Sequence, residues 1–320
     1  MSVLPAIVTV TLNPALDLTG YLGQFMRGRV NQIERSTLGA AGKGVNVAQV
    51  LARLGARVTA TGLLGQDNQG AFCELFERTG IEDQFVRLAG STRINVKLSE
   101  QGGEVSDLNF PGFQVTDEAL NSFENKLLQL ASDHQWFVFS GSLPRGLSAE
   151  LVAGWIGKLV AQGKRVLFDS SGPAFARGIE QRPWLIKPNE EELGQWLGKP
   201  LSTETARAQA AHRLQKMGIE HVVVSQGAEG VLWFHRGQCL QATPPKMQVQ
   251  STVGAGDSLV AALCWGLANG WSQQECLRFA TGLSAQAVTH SGVAVWNDDD
   301  LNRLIQEVCV ESRADLQGES

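Results

Sequence analysis

Short runs of apolar and β-branched residues alternate along the chain with longer segments in which apolar residues recur at helical spacing. Residues 6–12, AIVTVTL, form one such run, which ends at Asn13-Pro14 and therefore indicates a buried strand followed by a turn. Further strands are predicted at 57–63, 136–140, 165–169, 185–187 and 221–225, and helical patterns separate most of them. This alternation predicts an α/β fold in which helices cover both faces of a mainly parallel sheet.

Two stretches break the alternation because they contain strand patterns only. In residues 92–110, TRINVKLSE and EVSDLNF flank a glycine turn at 101–103, which predicts a hairpin. In residues 17–38, strand-like pieces are predicted at 18–22 and 30–37. We expect both stretches to form one small sheet that projects from the main body. It should pack over something or against a partner subunit, because short strand pairs are not stable alone.

Polar residues and glycines follow several predicted strands. Ligands of such folds bind beyond the carboxyl ends of the parallel strands, so these residues should line one cleft. They are Asn13, Ser140-Gly141-Ser142, Lys187, Ser225 and the glycine-rich segment 251–258.

The segment 251–258, STVGAGDS, precedes an apolar run, LVAALCWGL, that is typical of a buried helix. Gly254 and Gly256 allow a sharp turn and a close approach to a ligand, and the unpaired amides that open a helix favour an anion. Asp257 would then lie beside a bound phosphate, where its carboxylate could accept a proton from an attacking hydroxyl. A glycine-rich turn that Asp257 only caps is the alternative.

Composition narrows the function classes. The 320 residues carry a formal net charge of −5 without a basic block, which argues against a nucleic-acid partner. We expect neither a membrane span nor a signal peptide, because no apolar run reaches ~18 residues and the start lacks a basic region. Five scattered cysteines favour reduced thiols in a cytoplasmic setting, and neither they nor the five histidines show metal-ligand spacing.

The carboxyl-terminal residues 311–320 are polar, and we expect them to fray.

Two glycine-rich segments together resemble the signatures of a known family. AGKGVNVA at 41–48, followed by Gly55 and Gly65, resembles the first signature of the ribokinase-like (phosphofructokinase B) carbohydrate kinases, and 251–258 resembles the second. The order of the intervening pieces also fits, so the resemblance covers nearly the whole chain. It implies a single kinase domain, residues 1–320, with a three-layer α/β/α fold and a lid formed by about 17–38 and 92–110.

The resemblance also implies roles for individual residues. Asp257 would be the catalytic base, and the anion hole would be formed by Gly254, Ala255 and Gly256. On the substrate side it implies Asp17, Arg29, Gly42, Lys43, Asn46, Arg93 and Ser142. Arg93 would contact the phosphate that the substrate already carries, since a planar guanidinium matches phosphate oxygens. Lys43 could contact either the substrate phosphate or ATP. Structural roles are the alternatives: a turn former for Asp17, a solvated strand residue for Arg93 and a loop serine for Ser142.

The nucleotide side would involve Lys187, Asn189, Ser225 and Gly227. Glu192 completes the family's Asn-x-x-Glu motif and would organise Mg²⁺, largely through water molecules. Three glutamates at 190–192 are also favourable simply because a helix begins there, so a purely structural role remains the alternative.

Within the family, three strings are most similar to the bacterial 1-phosphofructokinases: TLNPALD at 11–17, TRINVK at 92–97 and SGSLP at 140–144. The similarity implies a cytoplasmic enzyme that uses ATP and Mg²⁺ to convert fructose 1-phosphate to fructose 1,6-bisphosphate, as a homodimer joined through the lids. Kinases of fructose 6-phosphate or tagatose 6-phosphate are the alternative. A nucleotide- or sugar-phosphate-binding protein without turnover is disfavoured by Asp257, and a nucleoside kinase by Arg93 and Arg29.

Overall fold

The computed structural model describes residues 4–290 and 292–318. The helices in these residues are α1 (Lys43–Arg53), α2 (Gly70–Thr79), α3 (Asp117–Asp133), α4 (Ala149–Ala161), α5 (Gly172–Gly178), α6 (Glu190–Leu197), α7 (Glu204–Lys216), α8 (Ala255–Ala268), α9 (Gln273–Ala287) and α10 (Asp298–Glu307). The strands are β1 (Ala6–Thr11), β2 (Ala15–Leu22), β3 (Arg35–Ala41), β4 (Arg57–Gly65), β5 (Glu82–Asp83), β6 (Val86–Leu88), β7 (Arg93–Glu100), β8 (Val105–Leu108), β9 (Trp136–Ser140), β10 (Arg165–Asp169), β11 (Leu185–Ile186), β12 (His221–Ser225), β13 (Val231–His235), β14 (Gln238–Thr243) and β15 (Cys309–Ser312).

The strands predicted from the apolar runs all belong to one large sheet, whose full order is β15-β14-β13-β12-β11-β10-β9-β1-β4-β5, with β6 beside β4. All neighbours from β12 to β5 pair in parallel, and β13, β14 and β15 add an antiparallel edge. Successive side chains of a strand point to opposite faces. Phe137 and Phe139 of β9 therefore join the core beneath α3 to α7, whereas Val138 joins the core beneath α1, α2 and α8 to α10. The expected three-layer α/β/α architecture is confirmed.

A separate four-stranded sheet has the order β3-β2-β7-β8. The chain passes into it directly from the main sheet, because only residues 12–14 separate β1 from β2. The predicted hairpin is present as β7 and β8, but the bounds of the strand predicted at 30–37 are wrong, since β3 runs from Arg35 to Ala41. The preceding residues form a loop because the Asn31 side chain accepts from the Met26 amide at 2.7 Å and donates to the carbonyls of Met26 and Arg29.

The carboxyl-terminal segment differs from its prediction. Cys309–Ser312 forms β15 at the antiparallel edge, and Leu316 is buried, so the part of 311–320 that the structure describes is not frayed. Arg313 anchors this segment through its ion pair with Glu204 at the start of α7, 2.7 Å away.

The short helix α5 was not predicted, because its sequence lacks a clear apolar period. No helix in residues 4–290 and 292–318 has the length and apolar character needed to cross a membrane.

Candidate active site

The carboxyl ends of the central parallel strands meet at one edge, where polar side chains collect. Asp169 ends β10 directly beside Ser140 of β9, and the two form a hydrogen bond at 3.1 Å. Lys187 follows β11, and Asn189 and Ser225 pair as an isolated parallel bridge next to it. The prediction that residues following these strands lie at one edge is confirmed for this group.

The glycine-rich segment 251–258 opens α8 as predicted. Gly254 lies at the N-cap with a φ of 81°, a left-handed conformation that glycine adopts without strain. The Ala255 amide donates to the Thr252 carbonyl at 3.4 Å and the Ser258 amide donates to the Gly254 carbonyl at 2.8 Å, whereas the amides of Gly256 and Asp257 between them have no acceptor in the described part of the chain. The amino end of α8 therefore presents unpaired N–H groups, which favour an anion.

Asp257 lies in the first turn of α8 and is buried. Asn46 of α1 donates from Nδ2 to Asp257 Oδ2 at 2.7 Å. Burial raises the pKa of Asp257 to about 6; the hydrogen bond from Asn46 opposes this rise, and the negative charge of Asp169 adds to it. A carboxylate with this pKa can hold and release a proton near neutral pH, as a general base must.

Two lysines flank the buried carboxylate of Asp169. Lys187 Nζ lies 3.3 Å from Oδ1, and Lys43 Nζ lies 3.4 Å from Oδ2. Burial alone would raise the pKa of Asp169, but the two ammonium groups and the Ser140 hydroxyl together lower it. A β-carbon added to Gly256 would lie 4.0 Å from Lys187 Nζ, so this ammonium group borders the amino end of α8. Asp169 is not among the site residues predicted from the sequence, although a carboxylate that ends a buried parallel strand is a usable signal.

Asp169 is expected to matter for stability as well as for the site. Replacing it with asparagine should lower the free energy of unfolding by about 3 kcal/mol, because the buried ammonium group of Lys187 would lose its only ion pair among the described residues. Urea unfolding measures this change. The matched control is Asp300→Asn, whose exposed ion pair with Arg303 should contribute less than about 1 kcal/mol. Equal losses in the two variants would contradict the assignment.

Arg93 lies at the start of β7 and contacts only neutral acceptors in the described part of the chain. Its guanidinium donates to the main-chain carbonyls of Asn13 at 3.1 Å, Pro14 at 3.3 Å and Phe110 at 3.2 Å. Burial lowers the pKa of Arg93, and the charge of Asp17 only partly offsets this effect. Asn13 also donates to Ser142 Oγ at 3.1 Å, which brings Ser142 to the same place. A half-buried cation held by carbonyls is well placed to bind an anion.

Asp17 of β2 faces the neighbouring strand β7. Its carboxylate accepts from Asn95 Nδ2 at 3.2 Å and from Lys97 Nζ at 2.7 Å. Arg93, Asn95 and Lys97 alternate along β7 and therefore share one face of the small sheet. Arg93 is among the predicted site residues, whereas Asn95 and Lys97 are not, although the period of two in TRINVK places all three on one face.

The start of helix α1 contacts both Asp257 and the segment that holds Arg93. Gly42 lies at its N-cap with a φ of 126°, and an added β-carbon would lie 3.1 Å from the Pro14 Cα. The helix start therefore packs against the segment whose carbonyls hold Arg93, while Asn46, one turn later, binds Asp257. Burial lowers the pKa of Lys43, but the charges of Asp169, Asp257 and Glu192 outweigh it and raise that pKa. Asp257 and Arg93 thus border the same end of one helix.

Asn189 and Glu192 form a capping box at the start of α6. The Glu192 amide donates to Asn189 Oδ1 at 2.8 Å, and the Asn189 amide donates to Glu192 Oε2 at 2.9 Å. The Ser225 amide donates to the Pro188 carbonyl at 3.1 Å, and Gly227 begins a single 3₁₀ turn. Glu192 therefore has the structural role of stabilising the start of α6. Its other carboxylate oxygen, Oε1, has no hydrogen-bond partner in the described residues.

Arg29 is not brought into this cluster. It lies in the exposed loop between β2 and β3, and its side chain makes no hydrogen bond or ion pair within residues 4–290 and 292–318. The loop geometry set by Asn31 accounts for this position.

The fold also gathers Glu220, His221 and His235 at the opposite end of β12, a grouping that sequence spacing did not indicate. Trp233 Nε1 donates to His221 Nδ1 at 3.2 Å, so the hydrogen of the neutral ring lies on Nε2. Burial lowers the pKa of His221 to about 3, which keeps the ring neutral. His221 therefore has no free lone pair directed at Glu220, and the arrangement does not favour a metal ion.

Comparison with known proteins agrees with this architecture. Residues 10–299 match the pfkB family of carbohydrate kinases. The 1-phosphofructokinase of Vibrio cholerae is 56% identical over 306 residues, 96% of each chain, and that of Escherichia coli K12 is 44% identical over 311 residues, 97% of this chain and 98% of the relative. Among solved structures, phosphofructokinase-2 from E. coli in complex with potassium matches with a TM-score of 0.89 and 29% identity, covering 95% of this chain and 99% of that chain.

Proposed function

Because the chain belongs to the pfkB family of carbohydrate kinases, we propose that it transfers the γ-phosphoryl group of ATP to a hydroxyl group of fructose 1-phosphate, which yields fructose 1,6-bisphosphate. The observation that carries the proposal is the buried Asp257 beside unpaired helix amides, in one cleft with the half-buried cation Arg93. Two relatives that match nearly the whole chain are named 1-phosphofructokinases, which supports this choice of sugar phosphate.

The sugar phosphate is held between the small sheet and α1. Arg93 offers its planar guanidinium to the phosphate that the substrate already carries, and Ser142 lies beside it. Arg29 lies outside this cluster, so its proposed contact with the substrate requires the loop between β2 and β3 to move toward the cleft. Asp17 accepts hydrogen bonds from sugar hydroxyls, and Asn46 and the Gly42 backbone complete the grip. The whole chain acts as one kinase domain, and the small sheet acts as a lid that excludes water and so limits ATP hydrolysis.

Asp257 takes the proton of the attacking hydroxyl as the oxygen bonds to the γ-phosphorus, and the bond to the β-phosphate oxygen breaks to release ADP. The amides of Gly254, Ala255 and Gly256 stabilise the charge on the transferred group in this proposal. The Gly256 amide has no acceptor among the described residues, whereas the Ala255 amide would exchange its 3.4 Å hydrogen bond to the Thr252 carbonyl for one to the phosphoryl oxygen. Lys187 and Lys43 add positive charge beside the same helix end. Asn189, Ser225 and Gly227 hold the nucleotide.

Magnesium is part of the proposal, and the residues present fit it. Mg²⁺ prefers oxygen ligands and keeps several water molecules. Glu192 uses one carboxylate oxygen in the capping box, so its other oxygen can orient a metal-bound water. The ion would neutralise charge on the β- and γ-phosphate oxygens when bound.

Proton acceptance by Asp257 predicts a pH dependence. Since its pKa in the free protein is raised to about 6 and only the ionised form is a base, kcat/KM should fall as the pH drops below 6. At pH 5 only roughly one tenth of the molecules carry ionised Asp257, so kcat/KM should be about tenfold below its plateau. Steady-state rates between pH 5 and 8 measure this profile.

The substrate phosphate also titrates near pH 6, so a control variant is needed to separate the two groups. Asp169→Asn removes a negative charge that raises the pKa of Asp257. The midpoint of its kcat/KM profile should therefore move to lower pH, whereas the pKa of the free substrate does not change. A midpoint that stays in place would show that the profile does not report Asp257.

Homodimerisation through the small sheet is also part of the proposal. One row of cross-strand neighbours in the small sheet is entirely apolar. It runs across all four strands through Leu38, Leu18, Val96 and Leu108. This row alternates with the row of Asp17 and Asn95 and therefore lies on the other face of the sheet. Leu38 is 56% exposed and Leu108 is 51% exposed. An apolar sheet face of this kind is typical of a subunit interface.

Leu108→Asp is expected to convert the dimer to monomers, because a buried unpaired carboxylate strongly opposes association. Light scattering coupled to size exclusion measures the mass. Leu4→Asp, at another exposed leucine outside this sheet, should leave the mass unchanged. A monomeric wild-type protein would contradict this part of the proposal.

Kinase activity toward fructose 6-phosphate or tagatose 6-phosphate is the alternative within the family, and binding without turnover is the alternative outside it. The test is to incubate the protein with ATP, Mg²⁺ and fructose 1-phosphate and to follow products by phosphorus NMR. We expect equal amounts of ADP and fructose 1,6-bisphosphate. ADP without a bisphosphate, or no ADP, would contradict the proposal.

We also propose a cytoplasmic location for the protein, which is supported by its five cysteines, all of them free.

A further inference from the structure

Arg207 of α7 is a charged residue that lies outside the cleft yet is almost fully buried, with a side chain only 8% exposed. Arginine is seldom buried to this extent unless its charge is paired, because desolvation of an unpaired charge is unfavourable. Its partners therefore indicate why the chain keeps a charge at this position.

The partners of Arg207 come from two other segments. Its Nη1 lies 2.7 Å from Glu190 Oε1 in the first turn of α6, and its Nη2 lies 3.8 Å from Glu229 Oε2 in the connection after β12. Gln226 lies in the same connection. With its side-chain amide oriented so that the oxygen faces Arg207, this oxygen accepts from Arg207 Nε at 2.9 Å and from Nη2 at 3.2 Å. Glu229 is largely exposed, so Glu190 and Gln226 are the principal contacts.

These two segments are the ones that carry the proposed nucleotide contacts. Glu190 directly follows Asn189, and Gln226 lies between Ser225 and Gly227. The segments already meet once, through the hydrogen bond from the Ser225 amide to the Pro188 carbonyl at 3.1 Å. Arg207 adds a second connection through side chains, so the spacing of the two segments depends on its planar fork.

We propose that Arg207 is a positioning residue for the nucleotide. It touches neither ATP nor the sugar phosphate, but holds the start of α6 and residues 226–229 at the separation that nucleotide binding requires. The inference rests on the proposed function, because it takes the nucleotide to bind at these segments. Small displacements of positioned groups can change rates by up to about 10², so loss of the fork should be measurable.

Arg207→Met keeps the length of the aliphatic stem and removes the fork. The KM for ATP should rise on the order of tenfold, whereas the KM for the sugar phosphate should change less than about twofold. Direct titration with ADP should show a matching loss of affinity without any turnover. Arg207→Lys should give an intermediate KM for ATP, because an ammonium group can pair with Glu190 but cannot also hold Gln226 in a fork.

The matched control is Arg87→Met. Arg87 of β6 also has a largely buried side chain, 24% exposed, and pairs with Asp83 and Gln69, but β6 lies beside β4 rather than beside β11 and β12. This variant should lower the thermal unfolding midpoint and leave the KM for ATP unchanged.

A purely structural role for Arg207 predicts a different result. Arg207→Met would then lower the unfolding midpoint and either leave both KM values unchanged or raise them equally, and this outcome would overturn the proposal. The readouts also separate this inference from the function itself. A wild-type protein that binds ADP but does not phosphorylate fructose 1-phosphate would refute the function, and weaker ADP binding by Arg207→Met would still support positioning.

Discussion

Asp257→Asn is expected to lower kcat by at least ~10² while the affinity for the sugar phosphate is largely kept. Asparagine has nearly the same shape and can still accept the hydrogen bond from Asn46, so the helix start should remain intact. What is lost is the group that accepts the proton of the attacking hydroxyl. Initial rates of ADP release, together with calorimetric titration of fructose 1-phosphate, measure the two quantities separately.

Asp298→Asn provides the matched control for this variant. Asp298 also lies in the first turn of a helix, α10, so its replacement removes a favourable carboxylate from a helix start outside the cleft. We expect kcat to stay within about twofold of wild type, because such a charge contributes only about 0.3–1 kcal/mol to stability. If Asp257→Asn retained most of its kcat, Asp257 would not be the base.

Arg93→Met is the second variant with a large expected effect. Hydrogen bonds to a charged group contribute about 1.5–3 kcal/mol each, so removal of a bidentate contact with the substrate phosphate should reduce kcat/KM for fructose 1-phosphate on the order of 10² or more. Fructose without a phosphate serves as an internal reference. We expect fructose to be phosphorylated slowly and at nearly the same rate by the variant and the wild type, because it cannot use the guanidinium.

This comparison also separates recognition from folding, since Arg93 holds three main-chain carbonyls whose loss would affect both substrates alike. Arg35→Met is the matched control, because Arg35 belongs to the same small sheet but lies over the Tyr21 ring, 4.2 Å from its centroid. Equal losses for phosphorylated and unphosphorylated sugar would mean that Arg93 acts only through the fold.

Much of the architecture could be predicted because local patterns determine it. The apolar runs of β1, β9, β10 and β12 alternate with helices, and this order alone implies a parallel sheet. The edge where Asp169, Lys187 and Ser225 meet follows from the same argument, since the carboxyl ends of parallel strands coincide. The starts of α1 and α8 could also be predicted, because each helix begins at a glycine whose positive φ disfavours a residue with a β-carbon.

The parts that sequence reasoning missed depend on contacts between distant segments. β15, CVES, is too short and too mixed in polarity to show a strand pattern, and it is held by antiparallel pairing with β14. The loop before β3 is held by the side chain of Asn31 rather than by any apolar period. The pairing of Asp169 with Lys43 joins residues 126 positions apart, and spacing along the chain carries no trace of it. Arg207 was likewise indistinguishable from a surface arginine of an amphipathic helix until its partners were known.

The central claim is that this cleft phosphorylates a sugar that already carries a phosphate at position 1. Its most direct test is the steady-state comparison of fructose 1-phosphate, fructose 6-phosphate and tagatose 6-phosphate with the wild-type protein under identical ATP and Mg²⁺ conditions. We expect the highest kcat/KM for fructose 1-phosphate. Equal or better turnover of fructose 6-phosphate would contradict the account.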